Sequence, residues 1–140
     1  MIWKSLDKYR DVGFLILRVG FGLYMAFGHG WGKITGGPER WAGLGGVLDG
    51  IFGIGFLPTF WGFMSAMAEF VAALLIVIGL ATRPAALLLI LNMAVASLAH
   101  ITGVIQGGPE TAILYGLVWI TFLLMGPGPY SLDERLSGQS

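Results

Sequence analysis

Four apolar stretches set the limits on what this chain can fold into. They cover about residues 12–34, 57–80, 84–101 and 110–126 of 140. The second holds 24 residues with Glu69 as its one charge. At about 1.5 Å rise per residue it makes about 36 Å of helix, enough for a tilted crossing of a bilayer core of about 30 Å. The first is broken by Arg18, His29 and Lys33, and the third carries no formal charge. The fourth is near the short limit, bounded by Gly107, Gly108 and Pro109 before it and by Gly126, Pro127, Gly128 and Pro129 after it. The expectation is an all-α integral membrane four-helix bundle, a single domain over residues 1–140.

Composition agrees. Hydrophobic residues make up 56% of the chain and charged residues 11%, where a soluble domain carries about 25% charged residues. Eight basic residues balance eight acidic ones, which leaves no basic stripe for nucleic acid. There is no cysteine, so disulfides, thiolate metal sites and iron–sulfur clusters are excluded and electron transfer would need a bound cofactor. The first stretch is not read as a cleaved signal, because no small-residue cleavage site follows it and Arg18 interrupts it. Four spans put both termini on one side. Lys4, Lys8, Arg10, Arg83 and Arg135 lie there, against Lys33 and Arg40 on the other, which predicts cytoplasmic termini.

Between the first two spans, Trp41, Leu44, Leu48, Ile51 and Phe52 recur at helical spacing, as in an amphipathic helix lying at the membrane interface. The tryptophans Trp3, Trp31, Trp41, Trp61 and Trp119 read as interfacial anchors. The residues after Ser131 read as a short polar tail.

Ionisable residues inside spans are costly in hydrocarbon and mark interior partners or sites. Counted from the cytoplasmic end, Arg18, Asn92 and Glu69 fall at about 9, 12 and 16 Å. This predicts a buried network with an Arg18–Glu69 pair. His29 and His100 fall at about 26 and 24 Å, with Lys33 and Glu110 about one turn further out. These four predict an outer ligand-binding cluster. Two histidines could hold a haem iron, or a metal together with Glu110, but no other feature points to either. No metal site and no covalent cofactor are expected. The glycines of the first span favour close helix packing and allow a homodimer.

The ordered set Arg18, His29-Gly30-x-x-Lys33, Trp41, Ala68-Glu69, Gly79-Leu80-x-Thr82-Arg83, His100, Glu110 and Gly126-Pro127-Gly128-x-Tyr130-Ser131-Leu132-Asp133 resembles the DoxX family of small bacterial and archaeal membrane proteins. The resemblance runs from Gly13 to Asp133. It implies a four-helix protein of the cytoplasmic membrane. Some relatives are subunits of a thiosulfate-oxidising, quinone-reducing complex, and others accompany membrane redox systems. On this reading the chain is a redox-associated subunit that binds a quinone or similar small hydrophobic molecule between its helices, beside a redox partner protein. No flavin or nicotinamide motif makes it a self-sufficient oxidoreductase. A carrier of lipid or small metabolites, and a membrane scaffold for a partner, are the alternatives.

Overall fold

The computed structural model describes residues 2–138, and every regular element among them is helical. Helix α1 (Trp3–Ile34) continues from a 3-10 segment, Ile2–Tyr9, that overlaps its first turns, and is followed by α2 (Gly37–Phe52), α3 (Pro58–Ile78), α4 (Thr82–Ile101), α5 (Glu110–Met125) and α6 (Leu132–Ser137). Helices α1, α3 and α4 are each long and apolar enough to cross a membrane, and α5, with 16 residues, is a shorter apolar helix. The first span begins earlier than its apolar stretch predicts, because Trp3 to Asp11 continue the helix out of that stretch.

Helix α3 lies between α1 and α4, antiparallel to both, and α5 packs on α4 and closes back on α1 through aromatic rings. The core between them is built of small and large residues in alternation. Ala68, Ala72 and Ala73 of α3 and Ala85 and Ala86 of α4 let the backbones approach. Met25, Ile76, Leu89, Trp119 and Phe122 fill what remains. Close packing of this kind holds helices together where lipid removes the hydrophobic drive between them. Trp119 is therefore not an interfacial anchor. It is fully buried, stacked on Tyr115 at 5.8 Å and leaning on Phe122.

The predicted helix between the first two spans is present as α2, and it lies against the first half of α3. A Cβ on Gly45 would meet the Pro58 carbonyl oxygen at 1.7 Å, and one on Gly62 would meet that of Trp41 at 1.7 Å. Only glycine at both positions permits this crossing. Trp41 then packs on Phe63 and donates its indole N–H to the Lys33 carbonyl at 2.9 Å, which ties α2 to the end of α1.

At the other end of the bundle the residues after Ser131 are a docked helix and not a loose tail. Ser131 caps α6 by accepting from the Glu134 N–H at 3.2 Å. Asp133 accepts from the backbone N–H groups of Ala81 and Thr82 at 2.8 and 2.9 Å, and so caps the start of α4, which has no side-chain cap of its own. The Asp133 N–H in turn donates to Gly79 O at 2.8 Å. Gln139 and Ser140 lie outside the described residues.

Candidate functional site

Two π-helical segments face each other across the α1–α3 contact, Tyr24–Gly30 in α1 and Ala68–Ala72 in α3. Such insertions widen a turn and re-aim the side chains beyond them. They meet closely, since a Cβ on Gly30 would lie 2.5 Å from the Glu69 carbonyl carbon and oxygen. Directly above this crossing the Lys33 ammonium donates to Glu69 Oε1 at 2.6 Å, and the Asn92 amide of α4 donates to the same oxygen at 2.8 Å. The Glu69 side chain is 3% exposed and that of Lys33 23%. The other carboxylate oxygen, Oε2, is buried with no protein donor among the described residues.

This trio forms the polar end of a cavity of about 370 Å³ enclosed by α2, α3, α4 and the loop after α4. The remaining walls are mostly apolar, with Leu44, Val47, Leu48, Trp61, Met64 and Leu88 among them, and Ile105 contributed by the loop. Phe60 and Leu91 also line it while being 48% and 58% exposed on the apolar outer surface. The cavity thus reaches from a buried ion pair to the surface that faces lipid.

The predicted Arg18–Glu69 pair is not formed. Arg18 is buried, and its guanidinium donates to the carbonyls of Pro127 and Tyr130, the latter at 2.5 Å. It therefore holds the turn between α5 and α6. The cause is register and side-chain direction. Gly30, not Arg18, sits level with Glu69, and the separation of 12 positions from Arg18 to Gly30 in the sequence corresponds to about 18 Å of helix. A helical side chain leans toward the N-terminus of its own helix. In antiparallel α1 and α3 this tilts Lys33 and Glu69 toward each other and Arg18 and Glu69 apart. The sequence reading missed Lys33 as the partner: the lean was legible, but the register of α1 against α3, with Gly22 against Val77 and Gly30 against Glu69, was not.

The outer cluster is likewise not assembled. Lys33 belongs to Glu69. His29 packs its ring on Tyr24 at 6.0 Å and on Tyr115 at 5.6 Å. His100, at the end of α4, faces Gly107 and leaves Nδ1 buried without a partner among the described residues. Glu110 is exposed at the start of α5. Among the described residues no group of three or more His, Cys, Asp or Glu is placed to hold a metal ion.

The model of the DoxX family matches residues 13–101. The chain belongs to the DoxX family. It is also 31% identical to an uncharacterized protein of Haemophilus influenzae over 140 aligned positions, covering 94% of this chain and 96% of the relative. No solved structure matches it. The segment shared with DoxX contains Arg18, Lys33, Glu69 and Asn92, so the whole polar trio lies within it, while α5 and α6 lie beyond. With its apolar spanning helices, this DoxX protein is a multi-pass membrane protein.

Proposed function

We propose that this DoxX protein binds a quinone or a comparable small hydrophobic molecule in the cavity between α2, α3 and α4, as a redox-associated subunit of the cytoplasmic membrane with both termini inside the cell. The supporting observation is the shape of the site: an apolar cavity of about 370 Å³ that ends on Lys33, Glu69 and Asn92. Ligand sites commonly have this form, with apolar walls for affinity and a few polar groups for orientation. The volume suits a substituted aromatic ring, and the opening beside Phe60 and Leu91 lets an alkyl tail remain in the bilayer. Lys33 and Asn92 offer N–H donors to a ring oxygen, and Trp61 gives the ring a flat neighbour. The donor of electrons would be a separate partner protein. The orientation follows from the excess of Lys and Arg at the end where α1 begins and α6 docks.

The test is titration of the purified protein in lipid nanodiscs with a decyl-substituted benzoquinone, read by quenching of tryptophan fluorescence. Saturable quenching that is lost in Ala96→Phe, which fills the cavity, is the expected result. Quenching that never saturates, or that survives in Ala96→Phe with the fold intact, overturns the reading.

A further inference from the structure

We infer that Ser65 is a specificity-determining residue of the cavity: its hydroxyl donates a hydrogen bond to a ring carbonyl of the bound molecule, so the site takes an oxygen-bearing ring in preference to a plain hydrocarbon chain. The inference rests on the assignment of the cavity as a quinone site and adds the contact that confers the preference.

Ser65 belongs to the wall that α3 gives to the cavity. Trp61, Met64, Ser65, Ala68 and Glu69 all line it, a spacing of three and four that marks one helical face, and Ser65 lies in the middle of that face. The other polar side chains of the lining are engaged. Lys33 and Asn92 both donate to Glu69 Oε1, and the Trp61 indole N–H donates to the Phe56 carbonyl at 3.1 Å. Ser65 has no hydrogen-bond partner among the described residues. Its hydroxyl is not sealed either. The partnerless side-chain atoms without accessible surface belong to Arg18, Glu69, Thr82, His100 and Trp119. The half-buried Ser65 therefore keeps its free hydroxyl accessible, on a face that opens on the cavity.

The usual fate of a hydroxyl inside these helices is different. Ser97, Thr102 and Thr121 each donate to the carbonyl four residues back, at 2.7, 2.7 and 3.0 Å, which satisfies the group without any ligand. Ser65 does not close that bond with the Trp61 carbonyl. Its donor stays free in a mostly apolar wall, one turn from Glu69. An acyl chain filling the cavity would bury this hydroxyl with no partner, which costs affinity. A quinone carbonyl accepts the bond, while Leu44, Leu48 and Leu88 face the rest of the ring. Lys33 and Glu69 are the two charged residues of the lining and pair with each other, so a neutral ligand is the match.

The test compares wild type with Ser65→Ala in nanodiscs, using a decyl-substituted benzoquinone and two readouts. The first is the quenching titration. Ser65→Ala is expected to weaken binding about threefold to tenfold, the size of effect set by one neutral hydrogen bond. The second is the infrared carbonyl band of the bound quinone, which a hydrogen bond lowers. One carbonyl band is expected to move back toward the position of the free quinone in Ser65→Ala. Unchanged affinity and an unchanged band overturn the inference and leave the cavity as a ligand site. Weaker binding with an unchanged band overturns it too, since Ser65 would then act through packing alone. Absence of saturable binding in wild type overturns the functional reading beneath it.

Discussion

Gly30 brings the backbone of α1 so close to Glu69 that any side chain at that position would strike the Glu69 peptide group at 2.5 Å. The ion pair above it depends on this approach. Gly30→Ala is expected to force the two π-helical segments apart and to lower stability by about 2 kcal/mol or more, in the range of overpacked cores. Gly20→Ala is the control. Its Cβ meets nothing within 4 Å and it lies in regular α-helix, so it should be neutral or stabilise by up to about 1 kcal/mol through helix propensity. Thermal unfolding of both variants in the same detergent checks this, and equal melting temperatures would count against it.

Replacing Lys33 with Met leaves the Glu69 carboxylate buried without its cation. The expected cost is about 3 kcal/mol, the lower end of the range for breaking buried pairs, because Lys33 keeps 23% of its side-chain surface exposed. The double variant Lys33→Met with Glu69→Gln should recover most of that loss. A double-mutant cycle by chemical unfolding measures the coupling, and simple additivity of the two costs would mean that the residues do not act as a pair.

Arg18→Met should loosen the turn between α5 and α6 while leaving the cavity intact. The variant withdraws charged donors from the carbonyls of Pro127 and Tyr130, each bond to a charged group being worth about 1.5–3 kcal/mol. Faster hydrogen exchange confined to residues 126–137, with ligand binding unchanged, is the expected pattern. Unchanged exchange there would remove Arg18 from its assigned role.

Asp133 gives the terminal end of the bundle a dependence on pH. Partial burial pushes its carboxyl up, but the backbone N–H groups of Thr82 and Ala81 and the nearby Arg18 charge together hold it below its ordinary value. A carboxylate depressed in this way contributes its full stability above its unfolded value of about 4 and loses it as pH falls through the lower folded value. Asp133→Asn should therefore cost about 1 kcal/mol at pH 7 as a weakened cap, and the gap from wild type should close in acid. Melting temperatures from pH 7 down to pH 2 test it, and a gap of constant size would contradict the assignment.

How much of this was legible in the sequence depends on what kind of group carries each feature. The spans were readable because hydropathy is summed over many residues, and Pro58, Gly79 and Pro109 mark ends that local chemistry explains. Glu69 and Asn92 were legible as neighbours because both are polar residues in long apolar helices at similar depth. Lys33 falls in the wrong cluster mainly because α1 runs past the end of α3: Gly22 lies against Val77 and Gly30 against Glu69, an offset that hydropathy does not show, and the lean of its side chain back toward Glu69 closes the rest. The partners of Arg18 were not legible at all, since they are backbone carbonyls of Pro127 and Tyr130 and leave no side-chain signature. The cavity was hidden for a related reason: its walls are ordinary leucines and valines, and only the glycine crossing of α2 on α3 arranges them around a space.

The shortness of α5 has a consequence for the surrounding lipid. Its 16 residues span about 24 Å against a hydrocarbon core of about 30 Å, and Gly126 and Pro127 end it where Arg83 already holds the Leu123 carbonyl at 3.2 Å. The neighbouring α4 has 20 residues, a full crossing of about 30 Å. The bilayer around the protein is therefore asked for two thicknesses at once, and acyl chains beside α5 must shorten or tilt to match it. One flank of the bundle acts as a wedge that thins the membrane locally, and a thin membrane accommodates it with the least deformation.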